Sequence, residues 1–481
     1  MSNGAAIVGS GPNGLAAAVT LARAGIPVTV FEAADTIGGG TRTGEVVMPG
    51  VVHDICSAIH PMALASEFFR RFELAKRVEF VVPEASYAHP LDGGRAAIAY
   101  RDLDRTAAEL GRDGEAYRRL FAPLLQQLDG VLDFGLGGSM LRWPRSLPAA
   151  LAMGLRTLEQ GSPLCNLRFQ EDAAPAMISG VAAHSIGTMP ALSTAAIGLV
   201  LSVTGHAAGW PVPVGGSQAI AQALADDLLA HGGRIETGVR VQDAGELSGY
   251  QVKVFDTSAR DLARIAEREL PEDYVRALRR FKSGNAAAKV DLVLDGPIPW
   301  ADPRVAQTPT VHLGGSRAQI AFAEAEVARG RHPDQPYVLL AQPSEFDPGR
   351  NPSGKNAVWS YTHVPNGSTL DVSERVIAQI ERFAPGVRER ILDCRVTTAA
   401  ELADYNSNYF GGDISAGAVQ LQQLIARPTL SPSPWRTPGK GIYLASSSTP
   451  PGPGVHGLAG WHAARLILAK EFGKSLPSLA V

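Results

Sequence analysis

A glycine-rich turn near the start of the chain constrains the fold more than any other sequence feature. The apolar run 5–8 leads into Gly9-Ser10-Gly11-Pro12-Asn13-Gly14, and a segment with helical periodicity, 15–24, follows it. A second apolar run, Val28–Phe31, then ends at Glu32. A GxGxxG sequence between a strand and a helix, with an acidic residue about 20 positions later, is typical of a dinucleotide-binding β-α-β unit. The alternative, a turn with only a structural role, does not explain why all these parts fall in register.

The fingerprint assigns a task to each of its residues. Gly9 makes the tight turn, Gly11 lets the backbone approach a pyrophosphate, and Gly14 lets helix and strand pack closely. The N-terminus of the helix offers unpaired N–H groups and the positive end of its dipole to the phosphates. The Glu32 carboxylate can accept hydrogen bonds from a ribose 2′-hydroxyl, which argues against a 2′-phosphate. The turn alone does not decide between NAD and FAD, and its expected cofactor contacts are Gly9, Gly11, Pro12, Asn13, Gly14 and Glu32.

A second glycine-rich loop follows Glu32 directly. It contains three consecutive glycines followed by a threonine and an arginine. The glycines let this loop approach the same cofactor closely. The arginine can pair with the pyrophosphate or lie on the flavin side of it. The alternative is a flexible loop with a surface arginine. The arrangement resembles the glutathione-reductase-like flavoproteins, in particular the group of amine oxidases and phytoene desaturases. That resemblance implies FAD as the cofactor and adds to its expected contacts Ala33, Gly39, Gly40, Thr41 and Arg42.

The composition excludes several function classes. The 481 residues, 45% hydrophobic and 19% charged, indicate a globular chain with room for about three domain-sized units. A net charge of −3 without a block of like charges gives no nucleic-acid footprint. Cys56, Cys165 and Cys394 stand far apart without a CxxC pair, which excludes a thiol–disulfide reductase and predicts no metal site.

No signal peptide and no membrane span are expected from the sequence. No basic region precedes the first apolar run. No apolar run reaches the length of about 18 residues that a membrane-spanning helix needs. These observations predict a cytoplasmic protein with reduced thiols.

The most amphipathic segment of the chain is 136–156. Its apolar residues are Leu141, Trp143, Leu147, Leu151 and Leu155, and the basic residues interspersed with them are Arg142, Arg145 and Arg156. A basic amphipathic helix can lie on a membrane surface, so this segment is a candidate for peripheral contact with lipid. The alternative, which we favour, is a lid helix packed on its own domain.

The remaining sequence predicts two interleaved domains. Hydrophobic periodicity predicts helices at 113–133, 217–231, 370–383 and 458–472, and cofactor-domain strands at 234–237, 239–241, 251–258 and 442–446. Strand patterns at 286–294, 310–313, 338–342 and 357–362 suggest the mixed sheet of a substrate domain. We therefore predict an α/β fold with a Rossmann FAD-binding domain of the glutathione-reductase type (1–85, 210–284 and 436–475). An α+β substrate domain on a mixed sheet (86–209 and 285–435) is interleaved with it.

A second strong motif lies near residue 450. The strand 442–446 leads into a loop rich in Gly and Pro, and the last helix follows at once, where an ordinary glycine-rich connection is the alternative. In the flavoproteins that this chain resembles, the final helix points its positive end at the flavin O2 and N1 edge and stabilises the negative charge of the reduced ring. The same resemblance places 239–241 beside the adenine. It adds to the expected cofactor contacts Val241, Ser448, Gly454, Val455, His456 and Gly457.

Short stretches along nearly the whole chain are similar to those of the phytoene-dehydrogenase-like flavoproteins. They are HDICSAIHP at 53–61, PVPVGGS at 211–217, KVD at 289–291, DGPIPW at 295–300, WSYTHVP at 359–365, GGDIS at 411–415, and the segment 449–462. Within that family the chain most resembles the subgroup of pyridine nucleotide-disulfide oxidoreductase domain-containing protein 2, whose name does not require disulfide chemistry. One departure is the run of small residues at 283–288, where the family has bulky ones. These small side chains either enlarge the cavity near the flavin or pack against larger neighbours.

Two residues are candidates for catalysis beside a flavin that accepts hydride at N5. Lys289 lies in an apolar strand and, by analogy with amine oxidases, could sit near N5 through a water and activate O₂ or relay a proton. The alternative is an ion pair with Asp291 or a surface lysine. His456 is a candidate base just before the final helix, against a role in positioning the cofactor or backbone. Weaker candidates for the substrate pocket are His60, Tyr361 and His363.

These features predict an FAD-dependent oxidoreductase that moves hydride between a fairly apolar small molecule and flavin N5, by dehydrogenation or desaturation of a C–C, C–N or C–O bond. The alternatives are a flavin amine oxidase that uses O₂ with Lys289 near N5, and a flavin-bearing scaffold without enzymatic activity. A dehydrogenase that binds only NAD does not explain the terminal loop and helix. The sequence leaves open the substrate, the electron acceptor and the oligomeric state, for which a dimer is one option.

Overall fold

The computed structural model describes residues 2–351 and 354–481. The strands in chain order are β1 (Ser2–Val8), β2 (Val28–Phe31), β3 (Thr43–Glu45), β4 (Val52–Asp54), β5 (Phe80–Val81), β6 (Ala85–Leu91), β7 (Arg95–Tyr100), β8 (Val212–Pro213), β9 (Arg234–Glu236), β10 (Tyr250–Phe255), β11 (Ala286–Leu294), β12 (Thr310–Leu313), β13 (Val338–Ala341), β14 (Asn356–Val364), β15 (Ile391–Thr397) and β16 (Ile442–Leu444).

The helices in chain order are α1 (Pro12–Arg23), α2 (Glu67–Arg71), α3 (Leu74–Arg77), α4 (Leu103–Glu109), α5 (Gly114–Leu125), α6 (Leu128–Leu136), α7 (Leu147–Gln160), α8 (Ala173–Ala182), α9 (Leu192–Ala207), α10 (Gln218–Ala230), α11 (Ala259–Ile265), α12 (Glu272–Arg280), α13 (Arg317–Ala328), α14 (Ser373–Phe383), α15 (Val387–Arg390), α16 (Ala399–Tyr405), α17 (Leu421–Ile425) and α18 (Leu458–Ile467). A π-helical turn, Leu468–Phe472, continues α18.

A parallel sheet with the strand order β16-β10-β1-β2-β9 forms the first layer. The central strand β1 is buried on both faces, because Ala5 and Ile7 pack under α1 while Ala6 and Val8 pack under α11. A strand covered on both sides is apolar along its whole length, as the run 5–8 is. Since all strands of this sheet are parallel, their carboxyl ends meet at one edge, and ligands of such sheets bind there.

A seven-stranded mixed sheet forms the second layer, with the order β15-β11-β14-β13-β12-β6-β7. Its neighbours pair antiparallel except for β12 and β6. One face of this sheet packs against α14 around Val376 and Ile380. The other face presents larger side chains, including Leu339, Trp359 and Tyr361, towards the space between the two sheets.

The structure confirms the predicted α/β fold, with a parallel sheet and a separate mixed sheet. Every strand of the parallel sheet lies in the ranges predicted for the FAD domain, while the boundaries of the domains stay a prediction. Two predicted elements are wrong. Residues 239–241 form no strand, because Val239 makes a single backbone bond to Glu32 O (2.9 Å) in place of a ladder. The predicted helix 113–133 is two helices, α5 and α6, which are separated at Gln126 and Gln127.

Candidate active site

One cavity of about 690 Å³ joins the carboxyl edge of the parallel sheet to the mixed sheet. Its volume lies in the range of small-molecule sites. Of the expected cofactor contacts, those that line it are Gly9, Gly11, Pro12, Asn13, Glu32, Ala33, Gly39, Gly40, Arg42, Val241, Gly454 and Val455. The others lie buried behind this wall, and they are Gly14, Thr41, Ser448, His456 and Gly457. The structure therefore brings residues from both ends of the chain to one cavity.

Close contacts explain the glycines of the first turn. Gly9 has a φ of 100°, and a Cβ there would lie 2.7 Å from the carbonyl oxygen of Asp256. A Cβ on Gly14 would overlap the Gly9 carbonyl oxygen. On the opposite side, a Cβ on Gly39 would lie 3.0 Å from the Gly11 Cα. Only glycine leaves this space open, and it lies at the N-terminus of α1, where N–H groups attract phosphate.

Glu32 and Arg42 form an ion pair at the end of β2. The Glu32 Oε2 accepts hydrogen bonds from Ser10 N (2.9 Å) and Ser10 Oγ (2.5 Å), and Oε1 accepts from Ala34 N (2.9 Å) and Arg42 Nη2 (3.1 Å). The guanidinium also donates to the Thr36 carbonyl oxygen and to the Tyr405 hydroxyl. Arg42 thus holds the Glu32 carboxylate in place, and the predicted contact of Arg42 with a pyrophosphate stays a prediction.

Asp256 is a site residue that sequence reasoning missed. It directly follows β10, and its Oδ2 accepts a hydrogen bond from Gly14 N (2.8 Å) at the start of α1. The same oxygen lies 2.6 Å from where a Cβ on Gly11 would be. Burial raises the pKa of this carboxyl to about 7, the Gly14 bond lowers it, and Glu32 adds a smaller increase. An acidic residue at the carboxyl end of the strand next to β1 is the signal that could have identified it.

The first turn and the last helix are joined by a direct hydrogen bond. Asn13 Oδ1 accepts from Ala459 N (3.2 Å), in the first turn of α18. His456 secures the same helix start, because its Nδ1 accepts from Leu458 N (3.0 Å) and its Nε2 donates to Gly452 O (3.1 Å). Both ring nitrogens are therefore used by the backbone, which is the positioning role named as the alternative for this residue. Burial lowers its pKa to about 4.

Two other residues of the terminal loop have structural contacts. Gly457 has a φ of 66°, and a Cβ there would collide with the Phe68 ring. Ser448 Oγ accepts from Ala259 N (3.0 Å) and donates to Ala416 O (2.7 Å), so it connects α11 to the neighbouring loop. These contacts support the cavity wall from its buried side.

Lys289 is buried and paired. Its Nζ donates to Ile55 O (2.6 Å) and Asp54 O (3.1 Å) and lies 3.1 Å from Asp291 Oδ2. The residue is 4% exposed and does not line the cavity, whereas its neighbour Cys56 does. The geometry is that of the ion pair named as the alternative for Lys289. A catalytic role for this lysine stays a prediction.

The far end of the cavity is a chamber between α9 and the mixed sheet. Aliphatic and aromatic side chains dominate its walls, and they include Ile59, Ile197, Val200, Leu339, Trp210, Trp359 and Tyr361. His60 also lines it, with its Nε2 bonded to Ser217 Oγ (2.8 Å), while burial lowers its pKa to about 4. His363 lies on the same face of the sheet as Trp359 and Tyr361, but it does not line the cavity, because it is buried against Glu324 of α13 (2.6 Å).

His184 is a second residue of the chamber that sequence reasoning missed. Its Nε2 lies 2.9 Å from Nε2 of His312, so the two imidazoles share one hydrogen between them. His184 also lines the chamber. Burial lowers the pKa of His184 to about 3, and the nearby His363 lowers it further. His184 is thus a neutral hydrogen-bonding group in an otherwise apolar wall.

The described residues contain no group of three or more His, Cys, Asp or Glu side chains that could hold a metal ion. The Cys56 thiol accepts a hydrogen bond from the Tyr409 hydroxyl (3.4 Å), and burial raises its pKa, so it is a poor nucleophile. Within 2–351 and 354–481, no helix is both long and apolar enough to cross a membrane.

Comparison with known proteins identifies the family. Residues 13–468 match the family model of flavin-containing amine oxidoreductases. The chain belongs to this family. Pyridine nucleotide-disulfide oxidoreductase domain-containing protein 2 of Rattus norvegicus is 26% identical over 96% of this chain and 93% of its own length. The neurosporene-forming phytoene desaturase of Rhodobacter capsulatus is 24% identical, over 95% and 92%.

Solved structures support the same fold for this flavin oxidoreductase. An oxidoreductase from Methanosarcina mazei superposes with a TM-score of 0.62 at 14% identity and covers 97% of this chain and 100% of its own. Membership of a flavin family suggests what the space between the glycines binds. This space, the N-terminus of α1 and the acceptor Glu32 match the phosphate and ribose groups of a flavin dinucleotide.

Proposed function

We propose that this flavin oxidoreductase binds FAD and removes hydrogen from a fairly apolar small molecule. The observation that carries the proposal is the continuity of one cavity from the glycine turn to a chamber with mainly aliphatic and aromatic walls. The similarity to a phytoene desaturase over nearly the whole length supports a substrate of this kind. The bond that is dehydrogenated is C–C, C–N or C–O.

The residues of the chain have distinct tasks in this reaction. Bound FAD supplies an acceptor for hydride at its N5. Glu32 accepts from the ribose, and the N-terminus of α1 faces the phosphates. The N-terminus of α18 provides positive dipole charge for the flavin end. The apolar walls exclude water from the chamber and orient the C–H bond of the substrate.

The imidazoles of the chamber limit the chemistry. His60 and His184 have pKa values lowered to about 4 and about 3, so both are neutral near pH 7. A neutral imidazole of low basicity orients a polar group well, but it abstracts a proton poorly. The chamber therefore suits a substrate whose C–H bond donates hydride readily and needs little help from a base. We propose that His184 orients the polar group of such a molecule.

The test is anaerobic titration of the purified holoprotein with a panel of polyenes, long-chain alcohols, fatty acyl compounds and amines. Bleaching of the flavin absorbance by an apolar compound supports the proposal, and admission of air then separates an oxidase from a dehydrogenase. Val200→Trp fills the chamber and should prevent this bleaching without loss of flavin. Leu229→Trp, on the exposed side of α10, is the matched control. Bleaching by polar compounds alone would contradict the proposal.

A second candidate is oxidation of an amine. Trp359 and Tyr361 line the chamber as an edge-to-face pair 5.3 Å apart, and aromatic rings attract cationic ligands. In this case amines bleach the flavin in the same panel, and O₂ restores it. If no compound bleaches a flavin that dithionite reduces, the protein is instead a flavin-bearing scaffold.

A further inference from the structure

Helix α7 exposes a row of leucines. Leu147, Leu151, Leu155 and Leu158 follow one another at spacings of four, four and three, so they share one face, and each is more than half exposed. The opposite face packs onto α6 and α9 through Ala149 and Met153. The lid interpretation of this segment is therefore right for the packed face, but it does not account for the leucines. Exposed apolar surface of this extent marks an interaction site.

Further exposed apolar residues lie next to α7 in the sequence. Trp143, just before the helix, is 87% exposed. Leu164 and Leu167, just after the helix, are exposed as well. We use the term leucine face for this surface, which consists of Trp143, Leu147, Leu151, Leu155, Leu158, Leu164 and Leu167.

The substrate cavity opens on the leucine face. Gly154 lies on α7 three residues after Leu151 and four before Leu158, and it is both exposed and part of the cavity wall. Met140, in the segment before α7, is likewise exposed and part of the wall. The packed side of the same helix contributes Met153 and Thr157 to the cavity. The chamber and the leucine face are thus two sides of one helix.

The rim next to Trp143 carries excess positive charge. Four guanidinium groups, those of Arg71, Arg142, Arg145 and Arg465, lie around the carboxylates of Glu67 and Asp133, and the adjacent Arg70 and Asp129 balance each other. Arg71 and Arg465 flank the Trp461 ring at 5.6 and 4.7 Å. The cations beside the exposed Trp143 match the anionic headgroups of a bilayer, and the row of leucines matches its acyl region.

We propose that the leucine face binds the surface of an anionic phospholipid bilayer and that the substrate enters the cavity from it. A protein partner or a second copy of the chain on this face would cover the opening at Gly154, whereas a lipid surface provides an apolar phase from which an apolar molecule can diffuse. The docking follows from the leucine face alone. The entry of substrate rests on the proposed function.

Flotation with lipid vesicles tests the docking. Vesicles of phosphatidylcholine with added phosphatidylglycerol should carry the holoprotein upward in a density gradient, and pure phosphatidylcholine should carry less of it. Leu151→Glu/Leu155→Glu should lower the partition coefficient onto the vesicles by at least about tenfold, because two leucines lose their burial in the acyl region and two carboxylates replace them. Leu229→Glu, an exposed leucine on α10, is the control and should bind as the wild type does. Flavin content and circular dichroism confirm that all variants fold.

Three outcomes would overturn the proposal. Wild-type protein that stays below all vesicles excludes lipid as the occupant. A double variant that still floats shows that another surface binds. Dimers in sedimentation that the double variant abolishes, without any flotation, show that a second copy covers the face. Because flotation needs no turnover, docking can succeed when no compound bleaches the flavin, and only the proposed function then fails.

Discussion

At the scale of single residues, the charge of Asp256 bears on the proposed binding of FAD. Its carboxyl lies at the start of α1, beside the space that the glycines leave open. A pyrophosphate in this space would be repelled by the ionised carboxylate, and with a pKa of about 7 the group ionises in the range where proteins are handled.

We predict that FAD affinity falls about tenfold between pH 6 and pH 8, because binding favours the protonated form of Asp256. Asp256→Asn keeps a neutral group of the same shape and should remove most of this dependence. Fluorescence quenching during reconstitution of the apoprotein measures the affinity. Asp226→Asn, on the surface of α10, is the control and should behave as the wild type. An equally steep pH dependence in Asp256→Asn would show that Asp256 is not responsible.

The buried pair of Lys289 and Asp291 leads to a second prediction. Lys289→Met leaves the Asp291 carboxylate, which is 1% exposed, without its cation and should lower the free energy of unfolding by about 3 kcal/mol. Lys289→Met/Asp291→Leu removes both charges and should recover most of that loss. Urea denaturation measures both effects.

The same variants test catalysis. Because the lysine contacts Asp291 and two carbonyl oxygens, we expect reoxidation of the reduced flavin by O₂ to change less than about twofold in the double variant, against the larger factors typical of catalytic proton relays. A large slowing in a variant of normal stability would favour the amine oxidase and a catalytic Lys289.

At the scale of elements, the start of α18 depends on His456. Its imidazole connects Gly452 O to Leu458 N, and His456→Ala would leave both groups unpaired in a buried position. We predict a loss of about 2 kcal/mol in stability and weaker FAD binding, with the affinity measured by reconstitution. His456→Asn retains a donor and an acceptor and should lose less. If His456→Ala binds FAD normally and fails only in flavin reduction, the histidine is a catalytic base.

Element patterns could be predicted from the sequence where one periodicity dominates. The runs at 5–8 and 28–31 and the strands β11 and β12 lie where the apolar patterns place them, because burial on both sides leaves no other assignment. Residues 239–241 have a similar strand-like composition, but Val239 N bonds to Glu32 O and no ladder with an edge strand forms. The leucines of α7 resemble those of a packed helix, and no local pattern indicates that they face outward.

At the scale of the whole molecule, buried neutral histidines make the free energy of unfolding depend on pH. Burial lowers the pKa of several imidazoles to about 3 or 4, and these are His60, His89, His184, His206, His456 and His462. The unfolded chain therefore binds protons at a higher pH than the folded one, and the stability that these groups contribute is present above about pH 6.5 and lost as the pH falls towards 4.

We predict that the free energy of unfolding decreases by roughly 5 kcal/mol or more from pH 7 to pH 5, measured by urea denaturation in matched ionic strength. Asp256 acts in the opposite sense, since its raised pKa favours the folded state at low pH, but it is one group against six imidazoles. A constant stability over this range would contradict the burial of these rings in the folded protein.

The open space at the start of α1 was predictable because glycines at this spacing leave room for a phosphate. The places of Asp256 and His184 were not, since each contacts a partner that the fold brings from more than a hundred residues away, Gly14 and His312. For Lys289 the sequence left a catalytic role and an ion pair with Asp291 open, and the structure shows the ion pair, while the catalytic role stays a prediction.

The hydrogen bond between Asn13 and Ala459 spans 446 positions of sequence. On a ribosome, which releases the chain from its N-terminus, the first strand and its glycine turn emerge long before β9, β10, β16 and α18 are made. The parallel sheet around β1 is therefore completed last, by β16, although its central strand is translated first. The proposed FAD site is complete only after α18 is made, and until β10 emerges the edge of β1 opposite β2 is an unpaired apolar strand edge that needs protection from aggregation.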